Sequence, residues 1–411
     1  MNKLLTILAA LLLVAFAGSA EVKTGIDVLQ DSGFEILKGK RVGLVTNPTG
    51  INRELVSTVD LLAESPDVTL AALYAPEHGV RGNVTAGGKV TTYTDKETGV
   101  KVWSIYGSTL KPTAQMLAGI DILVYDIQDI GSRSYTFIST MGKCMEAAAE
   151  NGIPFVVLDR PNPLGGNKVE GCLVESDCVS FVSQYPIPYV YGLTCGELAK
   201  YLNDEGLLRR GVKADLTVVP MQGWRRDMLW EDTGLPWVLT SPHVPQPVSA
   251  VYYPASGILG ELDYMNIGVG YNLPFQLFCA SWADAAQLAD KLNEMNVPGF
   301  RFRPIHIHPY YGFGKGTNLQ GVQPYIEDYD KAELTLLQFH VMEAIAQLYP
   351  AHKPFASTTA NRLAMFDKVC GSKSIRRLFT NGGYKVSAIR GAWMDPAKAF
   401  REKSRKYHLY H

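Results

Sequence analysis

Residues 121–137, DILVYDIQDIGSRSYTF, carry an apolar strand straight into Asp126, Gln128, Asp129 and Arg133. Three other apolar runs end the same way. The first ends at Asn47. The second runs into Glu77, His78 and Arg81. A later one ends in Asp159, Arg160 and Asn162, and Tyr135 follows the opening cluster closely. Glu77, Asp126 and Asp129 offer carboxylates, and Arg81, Arg133 and Arg160 offer guanidinium groups. Paired carboxylates in one cleft suit general acid–base work, because their surroundings push one pKa up and leave the other low. Neutral donors and acceptors such as Asn47, Gln128, Tyr135 and Asn162 suit a polyhydroxylated ligand. A guanidinium fork suits a carboxylate or phosphate on that ligand. The combination favours hydrolysis of a glycoside bearing an acidic sugar.

Positioning these residues requires a sheet whose strand ends share one rim. Strand-like runs at 41–47, 68–79, 100–107, 121–127, 154–160 and 215–221 alternate with helical patterns at 53–65, 113–120, 135–150 and 194–206. Continuous apolar strands in β–α–β order imply a mostly parallel sheet covered on both faces, a Rossmann-like α/β arrangement. In such a sheet the ligand sits outside the carboxyl ends of the strands. An isolated Asp after a strand is commonly a helix cap; four successive junctions of this kind point to a site. The Pro- and Ser-rich stretch 235–257 reads as a crossover and cleft wall. Beyond it, strands near 273–280 and 301–312 and helices at 284–295 and 331–349 predict a smaller α+β auxiliary domain. The expected division is 1–20 leader, 21–245 catalytic domain and 246–411 auxiliary domain.

The chain has 411 residues, 46% of them hydrophobic, and a formal net charge of -1. That supports folded cores and gives no electrostatic case for nucleic acid. Residues 1–20 place Lys3 before an apolar run from Leu4 to Phe16 and end in small residues, the pattern of a secretory signal cleaved near Ala20. The run is short for a membrane span, so no membrane insertion is expected after cleavage, and the mature protein is expected in the periplasm. Six cysteines without a Cys-x-x-Cys pair argue against a thiolate zinc site, though Cys172 and Cys178 are close enough to close a small loop. His306 and His308 alternate on one strand face, yet no helical His-x-x-x-His supports a metalloenzyme, and neither metal nor cofactor is expected. The first strand lacks a Gly-x-Gly-x-x-Gly turn, and neither a phosphate-binding loop nor a Gly-x-Ser-x-Gly elbow appears. Trp224, Trp230, Trp237, Tyr252 and Tyr253 are candidates for stacking on sugar faces, weighed against core packing.

The motifs TNPTG, APEHGVRG, YDIQDIGSRSYTF and DRPNPLGG…VEG, in this order, together with TSPHVP and GVQ, resemble the exo-β-N-acetylmuramidase (NamZ-type) family. The resemblance implies a Rossmann-like catalytic domain with a C-terminal auxiliary domain and a cleft between them. It implies release of N-acetylmuramic acid from the non-reducing end of peptidoglycan fragments by cutting a β-1,4 bond to N-acetylglucosamine. It also implies that the glutamate of the Pro-Glu-His-Gly motif, Glu77, is catalytic. One departure stands out: NIGVGYNLPFQ carries Val269 where the family often has Arg.

On this reading Glu77 is the general acid. Asp126 or Asp129 holds water or stabilises the transition state, and Arg133 or Arg160 grips the lactyl carboxylate. The partner is a muropeptide or peptidoglycan-derived disaccharide. Carboxylate separation would decide stereochemistry, ~5 Å for retention against ~6.5–9.5 Å for inversion. Two other classes share these residues: a periplasmic sugar-binding protein without catalysis, and a metal-dependent esterase or deacetylase using His78, His306 and His308.

Overall fold

Strand β1 (Arg41–Thr46) is buried along nearly its whole length, as RVGLVT demands of a central strand. In the computed structural model, which describes residues 21–82, 84, 87, 88 and 90–411, it lies mid-sheet. The expected leader, residues 1–20, falls outside the described residues. On one side of β1 come β2 (Thr69–Ala75), β4 (Lys101–Ser104) and β3 (Tyr93–Thr94). On the other come β5 (Ile122–Asp126), β6 (Phe155–Leu158) and β7 (Leu216–Val219). Every pairing is parallel except β3 with β4. Chain order therefore leaves β1 in one direction toward β2 and later returns on its other side at β5. That reversal opens a crevice at the carboxyl ends of β1 and β5, where Thr46 stands opposite Asp126 in the ladder.

Alternation along the strands divides the core between the two faces. Leu44, Val124 and Leu158 pack with Ile26 and Leu62 on one face. Val45, Tyr125 and Phe155 pack on the other with the helix Phe137–Glu150, which stops at Asn151 and the positive-φ Gly152. That second core continues without a break into the C-terminal half, through Ile258, Phe278, Val322, Phe339 and Trp393.

The C-terminal half holds a smaller antiparallel sheet of β8 (Phe278–Ala280), β10 (Leu319–Ile326) and β9 (Phe300–Ile307), in that spatial order. Helices Ala285–Glu294 and Leu337–Leu348 match the expected amphipathic runs. Two expectations change. Residues 113–120 are a turn rather than a short helix, and part of the expected crossover, Pro247–Gly260, is a helix containing Pro254. That helix is buried on most of its circumference, so packing outweighs its poor intrinsic propensity. Three further helices, Ala360–Cys370, Lys373–Asn381 and Arg390–Ser404, complete the chain. The C-terminal tail returns to the first sheet: Tyr410 donates its hydroxyl to Asp159 at 2.6 Å, and Leu409 N–H donates to Glu197 at 2.8 Å. Among the described residues no helix is long and apolar enough to cross a membrane.

Candidate active site

Glu77 follows β2 through Pro76, in a turn closed by Gly79 N–H donating to Pro76 O at 3.1 Å. His78 takes a positive φ of 71° within it, a backbone state uncommon for a side-chain-bearing residue and frequent at functional turns. The Glu77 side chain is partly exposed. Its carboxylate accepts from Thr136 Oγ1 at 3.2 Å and from Gly87 N–H at 3.1 Å. Thr136 precedes the helix that follows β5, so this bond joins two strand ends across the crevice. Burial, and then the adjoining Glu77 carboxylate, push the Tyr106 phenol upward.

Asp129 lies deeper. Its Oδ2 accepts from the Tyr191 hydroxyl and from Gly131 N–H at 2.7 Å. Its Oδ1 is buried without a protein partner among the described residues, as are Gln128 Oε1 and Asn47 Nδ2 in the adjoining junctions. Burial pushes the Asp129 carboxyl up to about 7, against the opposing pull of the Tyr191 and Gly131 hydrogen bonds.

Tyr253, from the helix Pro247–Gly260, is the meeting point of the two halves. Its hydroxyl lies 3.1 Å from Ser134 Oγ, which is in turn 2.7 Å from the Tyr189 hydroxyl. Burial raises the Tyr253 phenol first, and the carboxylates of Glu261, Glu77 and Asp129 raise it further. Tyr253 also lines a cavity of about 350 Å3 with His243, Glu261, Val269, Phe275 and Arg362. Burial, followed by the charge of neighbouring His78, holds the His243 imidazole below its usual value. A wider groove of about 690 Å3 opens around Lys168, Arg226 and Asp328 but contains none of the sheet-edge residues.

Several residues expected at the site are engaged by partners within the protein. Asp126 is fully buried and pairs with Arg160 in a two-pronged bridge, Nε to Oδ1 at 2.5 Å and Nη2 to Oδ2 at 2.9 Å, with Thr58 Oγ1 donating as well. Both Asp126 oxygens thus meet protein donors, and Arg160 commits its Nε and Nη2 to Asp126 and Ile51 O. Arg133 is 0% exposed. Its guanidinium donates to the carbonyls of Cys172, Ile187, Val369 and Cys370 and to Ser183 Oγ, so no donor remains for substrate. Arg81 faces Asp95, Asp60 and Glu97. Asp159 accepts from Thr194, Gly196 and Tyr410 and caps the helix Cys195–Asp204. Asn162 shapes a turn by accepting from Leu164 N–H and donating to Leu193 O. Tyr135 donates to Thr240 Oγ1 and is buried.

Of the five aromatic candidates, Trp224, Trp230 and Tyr252 are buried, and Trp237 packs edge-on to Trp230. Only Tyr253 among them lines the cavity. His306, on β9, and His308, just past its end, are both exposed, with His308 Nδ1 against Asn318 Oδ1 at 2.8 Å. All six cysteines are free thiols, and Cys172 contacts Cys370 rather than Cys178.

Models of the two parts of the exo-β-N-acetylmuramidase NamZ match residues 42–248 and 251–410. The chain belongs to the exo-β-N-acetylmuramidase NamZ family. It is 45% identical over 394 residues to the peptidoglycan β-N-acetylmuramidase NamZ of Bacillus subtilis (strain 168), covering 96% of this chain and 92% of that protein. It also resembles two crystal structures of DUF1343 family proteins from Bacteroides fragilis NCTC 9343. One, at 1.65 Å resolution, is 54% identical with a TM-score of 0.91; the other, at 1.30 Å, is 25% identical with a TM-score of 0.73. Each covers 95% of this chain and 99% of the other. Family membership fits an acid at the carboxyl rim of a mostly parallel sheet.

Two residues that line the cavity beside Tyr253, Glu261 and Arg362, were not singled out in the sequence. Glu261 had a signal. It stands at the C-cap of the helix Pro247–Gly260, where a negative charge opposes the helix dipole. A local choice that costs stability is the kind expected at a functional position.

Proposed function

We propose that the protein is an exo-acting glycoside hydrolase that releases N-acetylmuramic acid from the non-reducing end of peptidoglycan fragments. The observation that carries this reading is Glu77: a partly exposed carboxylate at the sheet's carboxyl rim, held by Thr136 and Gly87. Glu77 protonates the glycosidic oxygen as the bond to the sugar's anomeric carbon breaks, so N-acetylglucosamine leaves as a neutral alcohol. Water then supplies hydroxide to the anomeric carbon and returns a proton to the glutamate. Asp129 supplies the second acidic group of the catalytic domain, through the polar floor it shares with Asn47 and Gln128. The leader-like sequence pattern of residues 1–20 supports export to the periplasm.

The test is release of nitrophenol from a chromogenic N-acetylmuramic acid glycoside, with and without chelator. Chelator-insensitive release by the wild type and its loss in Glu77→Gln are expected. Failure of the wild type to release the chromophore would overturn the reading in favour of a binding protein. Chelator-sensitive release would favour metal chemistry at the histidines.

A further inference from the structure

A sugar acid needs a cation, and the structure has committed the guanidinium groups nearest the sheet rim. Arg81 is engaged by three acids, Arg133 by carbonyls, and Arg160 by Asp126. Arg362 is different. It is the guanidinium lining the cavity of about 350 Å3 beside Tyr253, its side chain is 47% exposed, and its one ion-pair contact is a long 3.5 Å approach to Asp263. We propose that this cavity seats the carboxylated sugar and that Arg362 receives its carboxylate. The proposal rests on the hydrolase reading above and extends it to the group that selects the substrate.

The surroundings suit that task. The volume falls within the range of small-ligand sites. Val269 and Phe275 give an apolar wall for a ring's C–H face, while the Tyr253 hydroxyl meets Ser134, two residues before the Thr136 that holds Glu77. Glu261 lines the same cavity, and its carboxyl, raised by burial and drawn back by the Arg362 charge, gives the cavity an acceptor for sugar hydroxyls beside the guanidinium. Asp263 touches one edge of the guanidinium and leaves its other donors open, so the fork is oriented without being consumed. Arg362 sits in the first turn of the helix Ala360–Cys370, whose cap is Thr359. The far end of that helix is held by Arg133, donating to the carbonyls of Val369 and Cys370. The buried arginine thus fixes the helix that presents the exposed one.

The experiment is calorimetric titration of free N-acetylmuramic acid and free N-acetylglucosamine into wild type, Arg362→Gln and Arg362→Lys, alongside turnover of the chromogenic glycosides of both sugars. Binding does not depend on catalysis, so a wild type that binds the acid without hydrolysing its glycoside would reject the hydrolase reading and leave this inference standing. Expected is a loss of about tenfold or more for N-acetylmuramic acid in Arg362→Gln, the size of a charge-assisted contact. N-Acetylglucosamine binding should stay within about twofold, lysine should recover part of the loss, and turnover should show the effect in KM more than in kcat. Equal losses for both sugars, no loss, or a wild type indifferent to the carboxylate would overturn the assignment.

Discussion

Thr136 Oγ1 donates to Glu77 Oε2 across 3.2 Å, and this bond fixes the loop after β2 against the loop after β5. The acid is thereby aimed by a residue from the neighbouring junction rather than by its own strand. Thr136→Val should lower kcat several-fold with little change in KM, because the acid remains but its placement loosens. Thr136→Ser should restore most of the rate. Steady-state kinetics on the chromogenic muramic glycoside will show it, and an unchanged kcat in the valine variant would mean that Gly87 alone holds the acid.

Removing the acid itself should be far more severe. Glu77→Gln keeps the shape and loses the proton, so kcat should fall by roughly 10²–10⁴-fold, the usual contribution of a positioned general acid. Affinity for N-acetylmuramic acid, measured by titration, should change little. A variant within a few-fold of wild-type kcat would remove Glu77 from the reaction.

The rim itself was legible in the sequence because apolar strands ending in polar clusters are a local signal, and Glu77 stands on that rim after β2. The orientation of the cluster was not. Asp126 pairs in the ladder with Thr46 and meets Arg160 from the next strand end, and such a partner is set by sheet order and register, which no single run encodes. Arg133 was equally ambiguous: the same guanidinium serves a ligand or a set of backbone carbonyls, and the carbonyls it meets lie as far away as Cys370. Glu261 and Arg362 escaped because Pro247–Gly260 carries Pro, Ser and Gly within a helix that only tertiary burial stabilises, and because the helix Ala360–Cys370 was not foreseen.

The buried Asp129 should leave a mark on stability. Its carboxyl is raised from an ordinary 3.8 to about 7, so between about pH 4 and about 7 the folded state binds more protons there than the unfolded chain. Stability from this group is therefore lost as pH rises through that window. Asp159, raised to about 6 by burial, acts in the same direction. Asp129→Asn removes the first contribution. The melting temperature of the variant relative to wild type should climb between pH 5 and pH 8, and a constant difference across that range would show that Asp129 does not titrate there.

Arg133 should behave as a structural strut. Its guanidinium satisfies carbonyls from the Cys172 and Ile187 segments and from the end of the helix Ala360–Cys370, while Gly371 leaves room for it, since a Cβ there would meet Nη2 at 2.3 Å. Arg133→Met would leave several buried carbonyls unpaired, at a cost on the order of 3 kcal/mol or more. Denaturant unfolding should report that loss. In the folded remainder, the ratio of KM for muramic and glucosamine glycosides should move only as far as the helix carrying Arg362 shifts. A variant of wild-type stability that had lost only its preference for the acidic sugar would reverse this assignment and return Arg133 to the substrate.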